Sequence, residues 1–370
     1  MQTDIYARLR ELAASAQAKP EEMRPVLLRV TTDLFALHPQ HSLQEIHLYE
    51  EMAGKLIADA DEASLTLVAR KLARCADAPA SVLKRIRARG GAPAREILQF
   101  DTRIEWRELR QIAASGACDH ASAIAGRSDL DREITKILAG RQEREIARAL
   151  AANARAPLAI EDLRLLSARG REDAILAQAL LSRGDLTLDH LPLYLSADAA
   201  QRDQLIGLVR AASLAQAGRA DAAAPLSDAA CVRLEEAALR QKRSSFALVL
   251  AEILGCDGLC ARKIVEDESG DALTLAFIAV GLPRTIGARI FLIAFPKVAL
   301  SAEIFQRNLA LFDWLPRRDA ARIIAAISGE ARRADAAFSR AQGGRAPFGD
   351  PQEHKEPARE EAIVMPALRG

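Results

Sequence analysis

Apolar residues recur along this chain at helical spacing, and no stretch alternates with the two-residue rhythm of a strand. Between residues 120 and 203 the pattern itself repeats. Three 28-residue blocks, 120–147, 148–175 and 176–203, align alanine at Ala121, Ala149 and Ala177, and again at Ala123, Ala151 and Ala179. They also align Arg127, Arg155 and Arg183, then Leu130, Leu158 and Leu186. Apolar pairs follow at Ile137/Leu138, Leu165/Leu166 and Leu193/Tyr194. Each block predicts a helix of about ten residues, a tight turn, and a second helix opening at Asp129, Pro157 or Asp185, residue types that suit a first helical turn. A degenerate copy lies upstream, where LARCADAP (72–79) matches LAANARAP (150–157) at five of eight positions. Residues 97–110 predict another, with Ile97, Phe100 and Ile104 on its apolar face. A hairpin this small cannot bury its own apolar face, so neighbours must stack. The predicted fold is all-α, an α-solenoid of short helical hairpins followed by a C-terminal helical region.

The flanks read differently. Residues 1–60 predict three helices, one opening at Pro20 with Glu21 and Glu22, and another opening on the capping-box pair Ser42 and Glu45. The repeat region then runs over 61–217. The small-residue stretch 218–226 predicts a linker. Helices resume over 227–340, with Gly255, Gly258, Gly270 and Gly281 expected to end them. The glycine-, proline- and charge-rich tail 341–370 is expected to be disordered.

Composition narrows the function classes. About one residue in five is alanine, while aromatics make up only 4%. A net charge of +1 excludes polyanion binding by bulk electrostatics. The most hydrophobic window, 272–295, is interrupted by Pro283, Arg284 and Arg289, so no membrane span is expected. The N-terminal segment shows no signal peptide, and five scattered cysteines fit reduced thiols, so the expected location is the cytoplasm.

The repeat phrases AIAGRSDL, ALAANARAPL and LLSRGDL, preceded by VARKLARCADAPASVLKRI, resemble the bacterial HEAT-like repeat family catalogued as domain of unknown function 2336. The resemblance covers roughly residues 45–330. It implies a helical-repeat fold, and its motifs are structural signatures that carry no catalytic residue, cofactor or assigned site.

Two groups of basic residues are candidate contacts. Arg127, Arg155 and Arg183 would stand about 10 Å apart on successive repeats. Such a row suits a line of phosphates or carboxylates. The competing reading is structural, since an arginine near a helix end can hold its orphan carbonyls. The second group is the run Lys84, Arg85, Arg87, Arg89 and Arg95, a footprint either of nucleic-acid binding or of a solvated face. Base-extruding chemistry would need clustered aromatics, which the repeats lack. The histidines, including His38 and His41, and the pair Cys256 and Cys260 offer no complete metal-ligand set, so no metal or cofactor is expected. An apolar cluster from Ile363 to Leu368 reads as a docking peptide or an unstructured end. The expectation is a non-enzymatic interaction scaffold or regulatory adaptor whose partner is another protein. The alternative is a nucleic-acid-binding repeat protein using a basic face.

Overall fold

The computed structural model describes residues 24–38, 40–215 and 226–329. Among these residues every regular element is helical, with twenty α-helices and one 3₁₀ segment. The contacts gather the described residues into one compact unit.

Three helices lead in: α1 (Arg24–Ala36), α2 (Leu43–Leu56) and α3 (Glu62–Leu72). The capping box at α2 forms as the sequence predicts. The Ser42 amide donates to Glu45 Oε2 at 2.7 Å and the Glu45 amide donates to Ser42 Oγ at 3.3 Å. The predicted start at Pro20 and the tail beyond Gly329 lie outside the described residues.

Four hairpins follow: α4 (Ala80–Ala88) with α5 (Gly91–Phe100), α6 (Trp106–Ser115) with α7 (Cys118–Ala125), α8 (Arg132–Gly140) with α9 (Arg144–Ala152), and α10 (Ile160–Gly170) with α11 (Ala174–Leu181). Each helix is short and buries one stripe. In α9 the stripe is Ile146, Ala147, Leu150 and Ala151, the three- and four-residue spacing of one helix face. Such helices are too short to persist alone, so packing supplies their stability. The odd helices α3, α5, α7, α9 and α11 pack on one another in one row. Helices α6, α8, α10 and the 3₁₀ segment Leu188–Ser196 pack in sequence in a second row. The alanines of the sequence register sit at these interfaces: Ala121, Ala151 and Ala177 are each fully buried, where only a small side chain lets neighbouring helices meet.

The phase of the repeat differs from the predicted one by half a unit. The tight turns join α6 to α7, α8 to α9 and α10 to α11, so residues 132–152 form a hairpin and 120–147 does not. The predicted openings Asp129, Pro157 and Asp185 fall in the longer loops between hairpins. The helices begin at Arg132, Ile160 and Leu188, and Asp131 rather than Asp129 caps the first of them, accepting the Ile134 amide at 2.7 Å. Residues 97–110 likewise span the end of α5, a loop and the start of α6.

After α12 (Ala199–Ala215) the packing changes character. The remaining helices are α13 (Asp228–Leu239), α14 (Arg243–Leu254), α15 (Gly258–Glu266), α16 (Asp271–Val280), α17 (Arg284–Ala294), α18 (Pro296–Ala299), α19 (Ala302–Trp314) and α20 (Arg317–Ser328). They gather around α16, where every residue except Ala279 is buried. Helices α14, α15, α19 and α20 all touch it. Helix α20 also packs on the 3₁₀ segment and α12, and so joins this bundle to the last hairpin. Gly255 and Gly281 end their helices at φ of 68° and 78°, a left-handed turn that glycine adopts without strain. Contrary to expectation, Gly258 and Gly270 stand at helix starts. Helix α17 was not predicted, because Pro283 and Arg284 read as interruptions; they open a helix instead.

Candidate functional site

Two of the three aligned arginines face inward. Arg127 is 1% exposed, and its Nη1 donates to the carbonyls of Leu98 at 2.7 Å and Asp101 at 2.9 Å. Those two carbonyls belong to the end of α5, one hairpin back. Its Nε and Nη2 fork onto the Asp129 carboxylate at 2.9 and 2.7 Å. Arg183, half-buried, reaches Asn153 O and, at 2.7 Å, Ala156 O beyond the end of α9. Arginine near a helix terminus does satisfy orphan carbonyls here, but those of the preceding repeat rather than its own.

Arg155 departs from this pattern. It is exposed, and the equivalent bonds are made two residues earlier, where Asn153 Nδ2 donates to Ala125 O and Arg127 O at 2.8 and 2.6 Å. The three arginines therefore do not form one row: two are spent inside the stack and one faces outward.

A second register of clamps went unremarked in the sequence. Arg141 Nη1 bonds Ala113 O and Gly116 O at the end of α6, and Arg169 Nη1 bonds Ala139 O and Arg141 O at the end of α8. Arg103 does the same for Ala76 O and Ala78 O. Arg141 and Arg169 stand 28 residues apart, the spacing of the repeat itself, which was the available signal.

The basic run is largely committed too. Arg85 donates to Gly54 O at 3.2 Å, Arg89 to Ala58 O at 2.9 Å and Ala60 O at 3.3 Å, and Arg87 pairs with Glu108 at 2.5 Å. Lys84, Arg85, Arg89 and Arg95 are exposed, and only Arg87 is half-buried. The run thus breaks into separate contacts on neighbouring elements.

A buried polar group lies where the stack meets the bundle. Arg202, 6% exposed, forks onto Asp267 at 2.9 and 3.0 Å, and bonds Ala197 O at 3.0 Å and Ser269 Oγ at 2.5 Å. Asp271, 2% exposed, lies 3.7 Å from Arg202 and 3.5 Å from Arg307. Burial raises the Asp271 pKa despite those two cations. It also raises that of Tyr194, whose hydroxyl oxygen, like Asp271 Oδ1, is buried without a hydrogen-bond partner. Sequence reading missed this group because Arg202 and Asp267 are far apart in the chain.

Other candidates resolve into structure. The His41 ring stacks on Phe35 at 3.8 Å, and Phe35 stacks on Tyr49 at 4.3 Å, so His41 is a core ring. Among the described residues no cluster of three or more His, Cys, Asp or Glu is placed to hold a metal ion. A cleft of about 150 Å³ lies between α9 and α11, lined by Arg144, Glu172 and Asp173 among others. Within it, Asp173 is already paired with Arg148 at 2.8 Å. Among the described residues no helix is long and apolar enough to cross a membrane.

One outer edge of the stack is different. Trp106, Arg132 and Ile160 are the first residues of α6, α8 and α10, equivalent positions in successive hairpins. All three are exposed, Trp106 at 42% and Ile160 at 58%. At the usual packing distance they form a row with steps of about 10 Å.

Stacked hairpins tied carbonyl to side chain define a helical-repeat protein. Residues 93–299 match the family described as an uncharacterised protein conserved in bacteria, domain of unknown function 2336. The chain belongs to that family. No curated protein and no solved structure gives a significant match.

Proposed function

We propose that this protein is a non-enzymatic interaction scaffold or regulatory adaptor that presents its helical-repeat surface to another protein, in the cytoplasm. The observation that carries this reading is the edge row Trp106, Arg132 and Ile160. Tryptophan and arginine are the residue types most often found at the energetic centre of protein interfaces, and a large aliphatic residue completes the row. The inward arginines add a second reason. They hold each hairpin to the one before, so the row sits on a rigid frame and little ordering entropy is lost on binding. The nucleic-acid alternative loses ground because Arg87, Arg127 and Arg183 are half-buried or buried and already bonded within the fold.

The test is recovery of the tagged protein from native lysate, with and without nuclease, alongside the double variant Trp106→Ser/Ile160→Ser. The reading predicts a stoichiometric protein that survives nuclease and is lost with the double variant, while that variant keeps its melting temperature. Loss of all bound material after nuclease, or partner recovery unchanged by the double variant, would overturn it.

A further inference from the structure

The turn between α14 and α15 brings two thiols together. Gly255 turns the chain left-handed, and the Cys256 amide donates back to Ala251 O at 3.1 Å. One residue later Asp257 caps α15, its Oδ1 accepting the Cys260 amide at 2.7 Å. This doubling-back sets Cys256, just before the cap, against Cys260 in the first turn of α15, and the two side chains are hydrogen-bonded. Cys256 is half-buried while Cys260 is buried. The surroundings are not inert. The Lys263 ammonium bonds the Arg171 carbonyl at 2.7 Å, and the Arg171 guanidinium reaches Ile327 O at 3.5 Å and acts on the Cys260 thiol. The pair therefore lies at the seam joining the end of α10, α15 and α20.

We infer that Cys256 and Cys260 form an oxidation site that a peroxide converts to an intrachain disulfide. A disulfide needs the backbone to bring two sulfurs together, which the Asp257 cap and the turn at Gly255 do here. Cys256 is the more exposed residue of the two, so it attacks first. Its thiolate displaces hydroxide from hydrogen peroxide and becomes a sulfenic acid. Cys260 sulfur then attacks the Cys256 sulfur and the sulfenic oxygen leaves as water, taking the Cys260 proton. In sum, two thiols and one hydrogen peroxide give one disulfide and two waters. The contact with Cys256, followed by burial, pushes the Cys260 thiol well above its ordinary pKa, which suits a resolving rather than an attacking role.

The experiment uses the full-length protein, a modest excess of hydrogen peroxide and differential alkylation read by mass spectrometry. The expected result is loss of both thiols together, in a peptide lighter by two hydrogens and restored by dithiothreitol. This should run roughly tenfold faster than oxidation of Cys75 or Cys118. In Cys260→Ser, Cys256 should persist as a sulfenic acid that dimedone captures; in Cys256→Ser, Cys260 should stay alkylatable. Both thiols surviving a dose that oxidises Cys118 would overturn the inference, as would dimedone labelling of Cys260→Ser elsewhere than Cys256.

Discussion

The stack and the C-terminal bundle solve the same burial problem by different means. In the stack every helix keeps a solvated face, and short amphipathic elements are joined through side chains that reach back one hairpin to a helix end. In the bundle a single helix, α16, gives up its solvated face and the others wrap around it. Its polar needs are met from outside: Thr274 Oγ1 donates to Asn308 Oδ1 at 2.5 Å, and Asn308 Nδ2 donates to Ser269 O at 2.8 Å. The stack therefore depends on many repeated, partly exposed bonds, while the bundle depends on a few deeply buried ones. What the contrast teaches is where charge can be spared. An arginine column in a repeat protein is first a means of satisfying carbonyls, and only what remains outside is available for recognition.

The joint between the two regions should be the most sensitive point. Arg202→Met strands Asp267 and Asp271 in a buried setting and is expected to cost about 3–5 kcal/mol. If the regions are coupled mainly there, calorimetry should resolve two transitions in the variant where the native chain shows one. A single transition with an unchanged midpoint would remove Arg202 from that role.

Asp271 provides a pH handle on the bundle side. Its pKa is raised in the fold from an ordinary 3.8, so the folded chain holds a proton that the unfolded chain has released. Stability from this residue is present below pH 3.8 and declines as pH rises through the raised folded value. Asp271→Asn should abolish that decline and leave the variant the more stable of the two at neutral pH. Denaturant midpoints measured across pH check this; a parallel decline in both proteins would refute it.

His190 gives the opposite slope at the end of the stack. Burial lowers its pKa from 6.5, and its Nδ1 accepts the Thr187 amide at 3.0 Å, which requires the neutral ring. Its contribution is complete above pH 6.5 and is lost as pH falls through the lowered folded value. His190→Asn keeps a capping acceptor without the titration, so the small acid-side fall in melting temperature should disappear.

The fold of the stack was legible because a pattern repeated three times separates itself from chance. Its phase was not, because helix-opening residues such as Asp129 and Pro157 also suit the loops between hairpins. The bundle was read less completely: α16 was expected from its unbroken apolar run, while α17 hid behind Pro283 and Arg284. At the candidate sites the arginine column was visible, and the structural use of helix-end arginines was among the readings it allowed. That Asn153 replaces Arg155 could not be read, since a shorter side chain does the same work from a different position. The edge row of Trp106, Arg132 and Ile160 depends on knowing where helices start, and so awaited the structure.

The central claim is that the inward-facing arginines, Arg127 and Arg183, hold the stack rather than a ligand, and it is tested most directly by denaturant unfolding of Arg127→Met beside Arg155→Met. Arg127 is buried with every bond made inside the fold, whereas Arg155 is exposed. The expected loss is about 3–5 kcal/mol for Arg127→Met and less than about 0.5 kcal/mol for Arg155→Met. Equal, small losses in the two variants would contradict the account and return the arginine column to the list of ligand contacts.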